Sequence, residues 1–283
     1  MTLNPPLRSP AIGRRQLLQT TGLTVTLGAL VAACGESAEG EPGRVGYAPP
    51  ATPLPTVEIT NAVYLRTATS IEQTLIDTYG TLIDAGVLDA DAQRILERLV
   101  DDHTAAVAAT SELTEAAGGE PYPCANPWYM DRVIGPLLEQ ILGDEQSDIP
   151  PSDDPQRDSL VLANGLESMV AAMYQQMVER LTETSLRADG MLLGAEAARH
   201  AAALAIMVTG APEGYASPVF AGEEVTPDES GATPIFALPS LFGSLAAIPV
   251  TVGAPNDTGT RYQTILETPA DNSYIYDSMT CDA

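Results

Sequence analysis

Two stretches of the chain, IEQTLIDTY at 71–79 and LESMVAAMY at 166–174, set a glutamate among apolar residues and a tyrosine seven positions later. Seven residues are close to two helical turns, so Glu72 and Tyr79 fall on one helix face, as do Glu167 and Tyr174. A carboxylate on an apolar face costs several kcal/mol, roughly, unless it is paired. Each glutamate therefore needs a partner inside the same interior.

Around Glu72, the positions Ala62, Leu65, Thr69, Glu72, Ile76, Tyr79 and Ile83 alternate spacings of three and four, the stripe of a bundle helix. A second stripe is Ala92, Leu96, Leu99, His103, Ala106, Thr110, Leu113 and Ala117, stopped by the Gly-Gly pair at 118–119. A third is Leu160, Ala163, Glu167, Val170, Tyr174, Met177 and Leu181, and a fourth is Leu193, Glu196, His200, Ala203 and Met207, ending at Gly210. These predict helices over 56–85, 89–117, 156–187 and 190–209. The links at AGVLD (85–89) and RADGM (187–191) are short, and the link over 118–155 is long. Short, long, short is the order of a four-helix bundle with one crossover connection.

The chain has two histidines, and both fall on these stripes. His103 opens HTAAVAA (103–109) and His200 opens HAAALAI (200–206), each at nearly the same separation from the preceding glutamate. Two helix pairs, each with Glu-x6-Tyr followed by His, form an internal repeat. The pattern resembles the ferritin-like superfamily, near its exported ferritin-like domain proteins, over residues 56–210. The resemblance implies that Glu72 and Glu167 match the first-helix glutamates of the two halves, and His103 and His200 the histidines. Metal-binding members of that superfamily also carry a Glu three residues before each His. Here those places hold Val100 and Ala197, so both bridging carboxylates are missing. Glu196, four before His200, is inward by the same stripe and is a substitute for one of them; Asp101 and Asp102 lie off the His103 face.

Two readings of the cluster remain open. In one, a single zinc, manganese or iron ion is held by Glu72, Glu167, His103 and His200. In the other, no metal is bound, Glu–His pairs across helices satisfy the buried charges, and Tyr79 and Tyr174 donate hydrogen bonds from packed core positions. The second implies a non-catalytic structural or interaction protein, the first a metal-binding or metal-dependent redox protein. No other catalytic motif stands out: LFGSLAA (241–247) lacks the Gly-x-Ser-x-Gly pattern.

Within the crossover, Asn126 before Pro127 reads as an N-cap with proline at the first helical position, and predicts a short helix over 127–142 that Trp128 packs onto the bundle. The segment 211–283 reads as an irregular appendage on the all-α core, with two short strands within 248–269 and an extended end at 272–281.

The N-terminus is different in kind. Paired Arg14 and Arg15, an apolar run and the closing VAAC (31–34) predict a twin-arginine export signal over 1–34 with Cys34 as a lipidated residue. The stretch 35–55 has the Gly/Pro/Ala/Glu composition of a linker. The expected location is the outer face of the cytoplasmic membrane of a bacterial envelope, attached by lipid. With Cys34 modified, Cys124 and Cys281 are an even pair in an oxidising compartment and are expected to form a disulfide. The chain has no lysine and carries a net charge of −25; all 38 acidic residues follow Cys34. A surface of that sign repels phosphate backbones, which excludes nucleic acid as a partner.

Overall fold

A computed structural model describes residues 59–210 and 248–281. The expected export signal with Arg14 and Arg15, the lipidation site Cys34, the linker, and residues 211–247 of the appendage lie outside the described residues. What is described is mostly helical with one small sheet. The helices are α1 (Asn61–Asp84), α2 (Ala90–Ala116), the single turn α3 (Pro127–Tyr129), α4 (Gly135–Leu142), α5 (Pro155–Arg180) and α6 (Thr184–Thr209); a π-helical stretch, Met130–Ile134, joins α3 to α4.

Side-chain caps set several of these boundaries. Thr60 Oγ1 accepts from the Val63 amide, Asp89 from the Asp91 and Ala92 amides, and Asp154 from the Arg157 amide ahead of Pro155. Asn126 accepts from the Tyr129 amide at 3.0 Å, the cap expected before Pro127. Gly210 ends α6 in the left-handed region.

Helix α1 packs along α2, and α5 along α6; the two hairpins meet mainly through α1 and α5, while α2 and α6 touch at few positions. The core is built from Ile71, Leu75, Tyr79 and Leu82 of α1, Leu96 and Leu99 of α2, and Leu162, Leu166, Met169 and Met173 of α5. Each such aliphatic side chain contributes about 1.5–3 kcal/mol on burial. Helix α5 is buried all round from Asp158 to Tyr174, because hairpin, crossover and sheet enclose it.

The sheet is an antiparallel pair, β1 (Ile248–Val252) with β2 (Tyr262–Leu266), in the register Ile248↔Leu266 to Val252↔Tyr262. It lies on α5 where Gly165 leaves space: a Cβ there would stand 2.6 Å from Val250 Cγ2. Buried Asp158 ties sheet to crossover, accepting from Ser152 Oγ at 2.6 Å and the Gly253 amide at 2.7 Å. The chain end docks on α1. Arg66 donates to the carbonyls of Tyr276, Glu120 and Met279, and Cys124 is bonded to Cys281 as expected.

Four expectations need correction. The second hairpin turns at 181–183, not at 187–191: Leu181 is extended and buried, while Gly190 lies buried inside α6. Trp128 is 56% exposed and lies against Arg132; Tyr129, Ile134, Leu137 and Ile141 anchor the crossover instead. The chain end is not extended but forms a 3-10 helix, Pro269–Asp277, whose Tyr276 is buried. Finally, the buried face of α6 is Gly194, Ala197, Ala201 and Leu204; Leu193, Glu196, His200, Ala203 and Met207 are only half-buried.

Candidate functional site

The two Glu-x6-Tyr motifs face each other head to tail. Tyr174 Oη donates to Glu72 Oε1 at 2.5 Å, and Tyr79 Oη to Glu167 Oε1 at 2.9 Å. Each tyrosine thus serves the glutamate of the other motif, which the opposite run of α1 and α5 makes possible. All four side chains are buried.

His103 of α2 enters between the two carboxylates. Its Nδ1 lies 2.5 Å from Glu72 Oε2 and its Nε2 2.7 Å from Glu167 Oε1. Ionised carboxylates only accept, so both ring nitrogens carry protons and the ring is an imidazolium. Burial works against that charge, but Glu167 and Glu72 outweigh it and hold the His103 pKa well above the usual histidine value. Burial also opposes ionisation of Glu167; the charge of His103 and the hydrogen bonds from His103 and His200 win, and its pKa falls to about 2. The phenols of Tyr79 and Tyr174 are pushed well above their usual value, first by burial and then by the adjacent carboxylates, so they remain donors.

His200 does not mirror His103. It sits at the seam of α2 and α6 with its Nδ1 3.3 Å from Glu167 Oε2 and its Nε2 3.4 Å from Asp102 Oδ2. Asp102 is gripped by Arg98 through two hydrogen bonds, at 2.9 and 2.6 Å. Glu196 stands at the same rim, 3.6 Å from Arg199. The structure therefore brings Glu72, His103, Glu167 and His200 together, and leaves Glu196 outside their centre. Asp102 is the residue that sequence reasoning missed. One step along α2 from His103 turns a side chain about 100°, toward α6, and the near contact of α2 with α6 is what gives that direction meaning.

Two groupings could hold a metal: His103, Glu167 and His200, and Asp102, Glu196 and His200; within each, one ligand atom per residue lies within 4.8 Å of the others. A two-metal centre does not fit the buried cluster. Val100 and Ala197 stand where its bridging carboxylates belong, and His103 has both nitrogens committed to glutamates. Ligands of one tetrahedral ion with bonds of about 2.0–2.1 Å stand roughly 3.4 Å apart, so contacts of 2.5 and 2.7 Å are charge-assisted hydrogen bonds. Between α2 and α6 a groove of about 380 Å³ runs past Ile95, Leu99, Ala203 and Met207 to His200, and a smaller cavity continues inward toward Glu72 and His103. Comparison with protein-family models, with curated proteins and with solved structures yields no match to this chain.

Proposed function

We propose that this protein is an exported, lipid-anchored four-helix bundle of the ferritin-like type whose buried Glu/His/Tyr cluster is structural, and that it serves a non-catalytic structural or interaction role in the cell envelope. The observation that carries the reading is His103 lodged between Glu72 and Glu167, with a tyrosine donating to each carboxylate. Such a network uses every charge it buries and joins helices α1, α2 and α5 in one register, a known use of buried polar groups. Two helical hairpins linked by a long crossover support the bundle, and the Arg14–Arg15 and Cys34 motifs support export and anchoring. Helix α6 is long and apolar enough to cross a membrane by length and composition, but Gly194, Ala197, Ala201 and Leu204 are buried, and Asn164 of α5 donates to the Ala201 carbonyl. That packing supports reading α6 as a helix of the bundle, and the proposed attachment rests on the Cys34 motif of the sequence.

A second reading, a metal-binding or metal-dependent redox protein of the same class, is favoured by the convergence of His103, Glu167 and His200. The Glu72→Gln, Glu167→Gln double variant separates the two. The structural reading expects a large loss of stability that iron and manganese do not restore, and no metal that the wild type holds and the variant lacks. Iron or manganese bound by the wild type and absent from the folded double variant would put the second reading first. Cys34→Ala should move the protein from the membrane fraction to the soluble fraction; unchanged fractionation would remove the lipid anchor.

A further inference from the structure

Outside the buried cluster, the three polar side chains at the α2–α6 seam have spacings that the inner contacts lack. His200 Nε2 and Asp102 Oδ2 are 3.4 Å apart, and Glu196 brings a carboxylate oxygen within 4.8 Å of both. A separation of about 3.4 Å is long for a charge-assisted hydrogen bond and matches two ligands of a tetrahedral ion with bonds near 2.1 Å.

The orientation of His200 is an independent pointer. Its Nδ1 faces Glu167 Oε2 at 3.3 Å and its Nε2 is turned to the seam beside Asp102, so an ion there would take Nε2 in place of a proton. A carboxylate behind one ring nitrogen is the usual support for a histidine that binds metal through the other. The second carboxylate is held too: Arg98 donates to both oxygens of Asp102 and fixes its plane. Two carboxylates and one imidazole are ligand types that suit zinc among the transition ions, with Arg98 and Arg199 paired to the carboxylates from outside. Ala197 and Leu193 line the small cavity these three residues share with Glu72 and His103, and the larger groove beside His200 is the path to it from solvent.

We infer that Asp102, Glu196 and His200 form a binding site for one zinc-class divalent cation at the seam of α2 and α6. Its three ligands differ from the Glu72–His103–Glu167 network, although Glu72 and His103 line the same small cavity and Glu167 faces the far nitrogen of His200.

Calorimetric titration of tag-free full-length protein with zinc chloride tests the inference. The expected result is one ion per chain, with Glu196→Gln and Asp102→Asn each weakening Kd by at least about tenfold and Glu72→Gln leaving it nearly unchanged. Cobalt(II) in place of zinc should give the intense visible bands of a tetrahedral site, and these should be lost in Glu196→Gln. Glu196 is half-exposed and is paired with Arg199 at the surface, so this variant carries the test if Asp102→Asn does not fold. No binding by the wild type, or equal binding by both rim variants, overturns the inference. Binding abolished by Glu72→Gln but kept by the rim variants also overturns it, and places the ion in the buried cluster.

Discussion

The ion pair between Glu167 and His103 should dominate the acid limb of this protein's stability. Glu167 has no exposed surface, and its pKa falls from 4.5 to about 2 on folding. A depressed carboxylate pKa contributes stability that is complete above the unfolded value and is lost as pH falls through the folded one. The difference of about two and a half units corresponds to about 3 kcal/mol, of which more than half is gone by pH 3. His103 reports the same interaction from the other side. Its pKa is raised, so its contribution is complete below 6.5 and is lost only as pH rises through the folded value. Being one ion pair, the two shifts are not added. Other carboxylates, including Asp89, Asp144 and Asp153, are also held below their usual range by hydrogen bonds and contribute to acid unfolding in any variant. The measurement is therefore a difference: urea unfolding of wild type and Glu167→Gln at pH 6, 5, 4, 3 and 2. The gap in unfolding free energy should narrow by about 3 kcal/mol across that range. A gap that stays constant would show that Glu167 does not carry a stabilising charge in the folded state, and the imidazolium assignment of His103 would go with it.

Four further outcomes are expected. His103→Gln leaves two buried carboxylates without their cation and should cost about 3–5 kcal/mol, whereas His200→Gln, whose ring keeps some solvent contact and makes only contacts of 3.3 and 3.4 Å, should cost about 1–2 kcal/mol; equal costs in chemical denaturation would contradict the asymmetry. Tyr174→Phe removes the 2.5 Å donor to Glu72 and should cost about 1.5–3 kcal/mol, with a double-mutant cycle against Glu72→Gln returning most of it as coupling. Gly165→Ala should lower Tm in calorimetry: the roughly 1 kcal/mol gained in helix propensity is smaller than the strain of a Cβ placed 2.6 Å from Val250 Cγ2. Reducing the Cys124–Cys281 bond, which closes a loop of 157 residues, should remove up to about 5 kcal/mol by the chain-entropy relation, read as a lower urea midpoint in dithiothreitol.

The parts of the fold that were legible in the sequence share one property: a residue that contradicts its surroundings. Glu72, Glu167 and His103 stand out because charge inside an apolar stripe needs a partner, and the structure puts the partners in contact. Asn126 before Pro127 was legible because a cap is a local event. Helix α6 and its stop at Gly210 were legible, but its buried face was not, for a physical reason. Its buried face is made of Gly194, Ala197 and Ala201, and its other faces are also rich in alanine, so size and polarity hardly distinguish the sides. The stripe through Leu193, His200 and Met207 marks a seam instead of a core. The turn at 181–183 contains neither glycine nor proline; burial of Leu181, the bonds between Asn61 and Thr182, and the Arg187 bond to the Leu181 carbonyl make it a turn. Trp128 was assigned by size, but a large ring at a helix start is free to lie over Arg132 when Tyr129 and Ile134 already fill the interior.

The repeat in the sequence and the asymmetry in the structure have a common electrostatic explanation. Two halves with equal Glu-x6-Tyr motifs place two carboxylates and two phenols at one centre, and the phenols pair crosswise without breaking the symmetry. A ring with two opposed N–H donors spans both carboxylates at once, so a single imidazolium completes the cluster. A second buried cation would find Glu72 and Glu167 already engaged and would still bear its own desolvation cost, on the order of several kcal/mol. The histidine of the second half is therefore better placed where water and another carboxylate reach it, and His200 meets Asp102 at the seam of α2 and α6. That displacement keeps the interior closed and leaves an imidazole nitrogen facing the seam among carboxylates, so equal motifs in the two halves end in two unlike environments.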